Sequence, residues 1–428
     1  MTTKIEKIEN SLLGEYYFRV EHKSGLTVLV MPKEGYSSTY ALFGTKYGSI
    51  DNCFKVSGDE SPTRVPEGIA HFLEHKLFES EDLDAFERYA KTGASANAYT
   101  SFDRTCYLFS CTGNFKANLE ILLDFVQSPY FTEKTVEKEQ GIIGQEIRMY
   151  KDVPGWEVLF NLLRAMYHNH PVKIDIAGTE ETIAQIDDKL LYKCYETFYN
   201  LNNMALAVVG NVELDEVLEV CDRLLKPSRP QSVERIFENE PEEVVESFIE
   251  EELSVSNPVF NLGFKETWLT PERTLKEEIC ADILLEIIAG NTSQLYRELI
   301  DKKLVNTTFT TEYFIGTGFA AKIFSGESAD PRTVAELIRE KIRVFKENGI
   351  SQEDFDMAKK KLFGRTIMAF NDIDNLADSL IKAEFLHEGL FDDMELFRNL
   401  TLEEINEHLR KTLDERYCVL SVINPAKE

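Results

Sequence analysis

Residues 68–79 read GIAHFLEHKLFE, and the spacing of two histidines and one glutamate here governs how the rest of the chain is read. Pro66 and Glu67 lie just before the stretch and predict a helix starting near there, because proline is tolerated in a first helical turn. On that helix His71 and His75, four residues apart, share one face, and Glu74 flanks it. Two imidazoles so placed can hold a zinc ion at roughly 2.0–2.1 Å each, with the carboxylate beside the metal. The order H-x-x-E-H inverts the commoner H-E-x-x-H helix of zinc proteases. A bound zinc lowers the pKa of water toward about 7, and an adjacent glutamate can take the proton. The competing reading is an amphipathic helix with two surface histidines, so context decides.

A catalytic zinc needs a third protein ligand and an open position. Glu146 is the best candidate, in TEKTVEKEQGIIGQEIRMY from Thr132. Thr132 suits an N-cap, and Val136, Glu139, Ile142, Ile143, Glu146 and Ile147 recur at helical spacing. Glu139 and Glu146 lie two turns apart on one face, which makes Glu139 a candidate to orient a ligand histidine from behind. Either glutamate alone would read as part of a solvated helix face.

With these residues in place the chain resembles the pitrilysin-type (M16) zinc metallopeptidases, in their half-length bacterial processing-protease branch, and within it the YmfH-like zinc-binding subunits. The likeness rests on His71-x-x-Glu74-His75, Glu139 and Glu146, GASANAYTSFDRTCY from Gly93, His170-Pro171, and the stretch from Asn203 to Gly210. It covers nearly the whole chain and is densest from about residue 20 to 212. The resemblance implies zinc on His71, His75 and Glu146, and Glu74 as the catalytic base. It also implies peptide substrates that bind by strand addition to the segment holding Ala96, Asn97 and Ala98, with Asn97 near the scissile bond.

The 428 residues exceed one ordinary core and predict two large domains. A formal charge of −28 argues against nucleic-acid binding, which calls for a basic surface. Seven cysteines form no C-x-x-C pair and read as free thiols of a reducing compartment. The first fifteen residues lack the apolar core of a signal peptide, and no apolar run approaches a membrane span. A cytoplasmic location is expected.

In chain order, residues 16–32 predict two strands around Lys23-Ser24-Gly25, with His22 at the surface, and residues 40–50 another strand. Helices are expected over 81–92, 119–126 and 182–199, and a buried strand over 204–210. Small residues at 94–98 would let a second backbone approach, so this strand could sit at an open sheet edge or be an ordinary central strand. His168 and His170 sit before Pro171 without partner carboxylates and read as structural. Residues 226–257 carry three prolines and a dense acidic block, which predicts a partly ordered linker with a strand near 244–249. Beyond it come strands over 258–264 and 319–324 and helices over 274–288, 290–304, 331–345 and 351–369. Both halves close with a helix followed by a buried strand, which suggests duplication. His387 and His408 have no companion ligand set.

The expected fold is therefore α+β: two homologous αβ domains of about 200 residues, of the LuxS/MPP-like type, forming half of a clam shell. The N-terminal domain spans residues 1–225 with the zinc site, the acidic linker 226–257, and a metal-free C-terminal domain 258–428. The expected activity is zinc-dependent peptide-bond hydrolysis, and the alternative is a non-catalytic scaffold subunit of the same fold. Self-sufficient relatives hold the substrate backbone with an arginine and a tyrosine seven residues apart in the second half. Here the matching register, in the segment from Gly290, gives Ile300 and Thr307, with Arg297 early and Tyr313 late. The resemblance thus implies a heterodimer with a paralogous M16-like subunit that lacks the zinc motif, a homodimer being the other arrangement.

Overall fold

The structure is a computed structural model and describes residues 2–267 and 274–427. The chain opens on β1 (Lys4–Asn10), β2 (Glu15–Glu21) and β3 (Thr27–Pro32), antiparallel neighbours in that order. β1 is an addition to the sequence reading. Next come β4 (Thr39–Thr45), the short β5 (Cys53–Val56) and β6 (Thr63–Arg64), then α1 (Ile69–Leu77) and α2 (Ala85–Thr92). α2 starts later than expected because the Asp84 side chain caps it, accepting from Glu87 N. Residues 95–111 form a hairpin, β7 (Ser95–Thr100) and β8 (Thr105–Cys111). Helices α3 (Phe115–Val126), α4 (Glu133–Lys151) and α5 (Pro154–Met166) follow. The helix expected over 182–199 is two, α6 (Glu180–Ile183) and α7 (Asp188–Phe198), because Thr179 and Asp187 each cap a separate start. β9 (Met204–Gly210) and α8 (Leu214–Leu224) close the first half.

The acidic stretch is more structured than a linker. β10 (Val233–Arg235) pairs with β5, and Arg235 reaches the buried Asp51 at 2.6 Å. β11 (Phe248–Leu253) runs parallel to β15 (Cys418–Pro425), the last strand. Between them lie β12 (Val259–Lys265), α9 (Leu275–Ala289), α10 (Gln294–Asp301), β13 (Thr310–Gly316) and β14 (Phe319–Glu327). Helices α11 (Pro331–Asn348), α12 (Gln352–Ala369), α13 (Ile373–Leu386), α14 (Asp392–Asn399) and α15 (Leu402–Lys411) complete the chain.

The main sheets run β1-β2-β3-β9-β4-β8-β7 and β11-β15-β12-β14-β13. Without β1 and β2 they match strand for strand. β3/β9 and β11/β15 are the parallel pairs, and the remaining pairs are antiparallel. Helices α1 and α2 occupy the chain position between β4 and β7 that α9 and α10 occupy between β12 and β13. A shared order and sense of this kind is what duplication leaves behind.

Two compact units result, one from Met1–Ile147, Asp175–Ile236 and Ile367–Phe391, the other from Arg148–Ile174, Phe237–Thr366 and Asp392–Glu428. They differ from a division into 1–225 and 258–428 because each sheet is covered by a helix from the other half of the sequence. In the first unit α13 packs on β4 and β9 through Leu376, Ala377, Leu380 and Ile381. Arg19 holds Glu384 through two nitrogens at 2.8 Å, and Arg104 reaches Asp378 at 3.1 Å. In the second unit α5 packs on β12 and β15. Gly263 in β12 makes room for it, since a Cβ there would stand 2.3 Å from the Met166 methyl.

Candidate metal centre

In α1 every residue is buried except His71 and His75, which are partly exposed on one face. The helix begins at Ile69, just after Gly68, whose φ is +88°. A Cβ on Gly68 would lie 2.3 Å from the Ala177 carbonyl oxygen, so only glycine allows this entry. The fully buried Lys76 ties α1 to its surroundings through the Glu79 carboxylate and the Thr135 carbonyl oxygen, 3.4 Å away. Thr132 caps α4 as expected, its hydroxyl accepting from Thr135 N at 3.3 Å.

α4 lays Glu139 and Glu146 against the two histidines. His71 Nε2 is 3.7 Å from Glu146 Oε1, and His75 Nε2 is 3.4 Å from Glu146 Oε2. A tetrahedral ion bound at about 2.0–2.1 Å spaces its ligand atoms by roughly 3.4 Å, and one donor atom from each of the three side chains lies within 4.8 Å of the others, near enough to converge on one ion. Among the described residues this trio is the one group of three His, Cys, Asp or Glu side chains arranged to hold a metal. His75 Nδ1 meets Glu139 Oε1 at 3.0 Å, which points Nε2 toward the same centre.

In the metal-free protein the electrostatics set the two imidazoles apart, and a bound cation would have to displace the Nε2 proton of His75. Burial, with His75 next to it, pushes the His71 pKa down to about 4, so that this imidazole is neutral and able to donate its lone pair. Burial also opposes charge on His75, but the Glu139 and Glu146 hydrogen bonds outweigh it and raise its pKa to about 10. The bond to His75 holds Glu146 below the usual carboxylate range. These residues fit a divalent metal: two imidazoles, one carboxylate, and a second carboxylate fixing a ring from behind.

Glu74 is 9% exposed, and burial raises its pKa, partly offset by a hydrogen bond from the Thr100 hydroxyl at 2.7 Å. A cleft of about 350 Å³ opens beside it, lined by Glu74, His75, Phe78, Phe86, Asn97 and Glu139 among others. Such a volume suits a small ligand or a substrate side chain. Ala98 also lines it, and Asn97 turns its own side-chain oxygen to Ala98 N. β7 is the last strand of its sheet, so the segment is an edge rather than a central strand.

His168 and His170 belong to the other compact unit, where His170 stacks on Phe237 and bonds the Thr317 carbonyl at 3.0 Å. His22, expected at the surface, is 4% exposed: Ser24 and Asp222 enclose it, and Asp222 lies 200 residues away in sequence. The sequence reading had no role for Thr100, although its place two residues past Ala98 on an alternating strand was the available signal.

The second unit answers the metal cluster with a different chemistry on the corresponding helices. Glu286 of α9 pairs with Lys361 of α12 and lies 3.7 Å from Arg365. Opposite charges there satisfy each other and leave no donor set for a cation.

Comparison with known proteins agrees with this asymmetry. Residues 58–180 match the insulinase (peptidase family M16) profile, and residues 185–362 match the peptidase M16 inactive domain. The chain is 41% identical to the uncharacterized zinc protease YmfH of Bacillus subtilis, over 98% of this chain and 99% of that one. A second Bacillus subtilis zinc protease, YmxG, is 25% identical over 86% and 91%. Among solved structures, an M16-like protein from Alicyclobacillus acidocaldarius superposes with a TM-score of 0.91 at 35% identity, covering 100% and 99%. Pitrilysin shares the fold at a TM-score of 0.76 and 16% identity, and this chain spans 47% of its length. With both halves matched and a relative alike from end to end, the chain belongs to the M16, or insulinase, peptidase family.

Proposed function

We propose that the chain is a zinc-dependent endopeptidase subunit that hydrolyses peptides or small proteins. The observation that carries this reading is the convergence of His71, His75 and Glu146 beside a buried Glu74. Those three side chains would hold the ion, which when bound would polarise the scissile carbonyl and make water more acidic. Glu74 would accept a proton from the attacking water and return it to the leaving amine. Ala96, Asn97 and Ala98 on the open edge of β7 would pair with an extended substrate, and the adjacent cleft would receive one of its side chains.

The reading includes a paralogous partner subunit that supplies the substrate clamp. Arg297 donates to the carbonyl of Thr292 at its own helix start at 2.9 Å, and Tyr313 donates to Glu266 at 3.0 Å, neither standing at the register where self-sufficient relatives carry their clamp. The seven free and buried cysteines accord with a reducing compartment such as the cytoplasm. Among the described residues, no helix is long and apolar enough to cross a membrane.

The test measures zinc per chain and hydrolysis of a quenched fluorogenic peptide library, with and without the paralogue, for wild type and Glu74→Gln. The amide should keep the metal and lose turnover. A chain that takes up no zinc, or a Glu74→Gln enzyme as fast as wild type, would sink the proposal in favour of a scaffold subunit.

A further inference from the structure

We infer that Thr100 is a positioning residue whose hydroxyl fixes Glu74 and ties it to the strand that would carry the substrate. This rests on the peptidase reading and adds to it a residue that reading does not use. Thr100 ends β7, two residues past Ala98, so its side chain falls on the same strand face as those of Ala96 and Ala98. Its hydroxyl donates to Glu74 Oε2 at 2.7 Å. The neighbouring hydroxyl is committed elsewhere: Thr105 donates to the Tyr47 carbonyl at 2.9 Å and stands 3.4 Å from Thr100 Oγ1. One oxygen of the buried carboxylate is thereby anchored, and the other is left to take a proton.

The opposite face of β7 is fixed as well. Tyr99 donates to Asp378 of α13, and Arg104 reaches the same carboxylate at 3.1 Å. The end of the strand is therefore gripped from both sides, by α1 through Thr100 and by α13 through Tyr99. A peptide added to the free edge would align on a backbone whose terminal residue holds the base. The two are separated by two residues of strand, about 7 Å. Substrate register and base orientation are then set by one rigid element, as an accurately placed catalytic group requires.

Thr100→Val keeps the shape and removes the donor, and Thr100→Ser keeps the donor. With the quenched peptides and whichever subunits make the wild type active, Thr100→Val should lower kcat by about 10- to 100-fold. KM and zinc per chain should stay within about threefold, and Thr100→Ser should recover most of kcat. A loss carried by KM or by zinc content, an unchanged kcat, or no recovery with serine overturns the inference. If the wild type cleaves nothing, the peptidase reading has failed rather than this one. Crystal structures of the zinc-loaded proteins then decide: the Glu74 carboxylate should be single and fixed in wild type and displaced or split in Thr100→Val. An identical Glu74 in both overturns the role.

Discussion

Glu139 Oε1 and His75 Nδ1 stand 3.0 Å apart, on the side of the imidazole away from Glu146. Glu139 is 5% exposed, so its carboxylate has few other partners and the ring little freedom to turn. Glu139→Gln keeps the size but weakens the acceptor. Zinc affinity should fall about 10- to 100-fold with the fold intact, as read by competition with a chromogenic chelator. Glu146→Gln and His71→Ala remove a proposed ligand and should lose more. Should Glu146→Gln bind zinc like wild type, another carboxylate must serve.

Ala96 and Ala98 face Phe109 and Tyr107 across the hairpin. Proline is tolerated on an edge strand but removes a backbone donor. Ala96→Pro or Ala98→Pro in the Glu74→Gln background should weaken peptide binding by about 10-fold or more while zinc content holds. Equal losses of peptide and zinc would point to misfolding and remove support for strand addition.

Arg297 and Tyr313 each bond a neighbour in their own unit and stand off the clamp register, and the proposed partner predicts that the isolated chain turns over peptide at least about 100-fold more slowly than the assembled pair. Arg297→Ala should leave the assembled enzyme within about twofold of wild type. Full turnover by the purified chain alone would refute the need for a partner.

His170 gives the expected acid dependence of stability. Burial depresses its folded pKa from 6.5 to about 4. Between those values the unfolded chain binds a proton that the folded chain refuses. The stability is therefore fully present above about pH 6.5 and is lost as pH falls through about 4, amounting to roughly 3 kcal/mol. Urea midpoints from pH 7 to 4 should show this slope on top of those from the buried His71 and His408, and His170→Gln should make it shallower even if the variant starts lower. A parallel curve for the variant would assign the slope to other groups.

Much of the first unit was legible because its signals are local. The i, i+4 histidines, the Thr132 cap and the apolar run of β9 each report a short-range rule. What escaped was long-range. His22 is buried by a partner 200 residues on, and nothing in the local pattern marks Asp222 as that partner. α5 starts with proline as a helix should, yet the sequence reading placed no helix there, and no periodicity says which sheet it will cover. β1 does not alternate: its isoleucines, Ile5 and Ile8, fall on opposite faces and its side chains are largely exposed, so no apolar stripe marked it as a strand. The edge position of β7 likewise depends on where the other strands stop.

The crossing of α5 and α13 into the opposite units also sets a schedule for synthesis. The first unit needs residues up to Phe391 before its sheet is covered. At about 5–20 residues per second, the ribosome takes roughly 20–80 s to supply them. For most of that time α1 and its sheet exist as a nascent half-product with an open apolar face, a natural client for chaperones. A cut in the acidic stretch after folding would sever the polypeptide without freeing either part, because each fragment would still hold a helix inside the other.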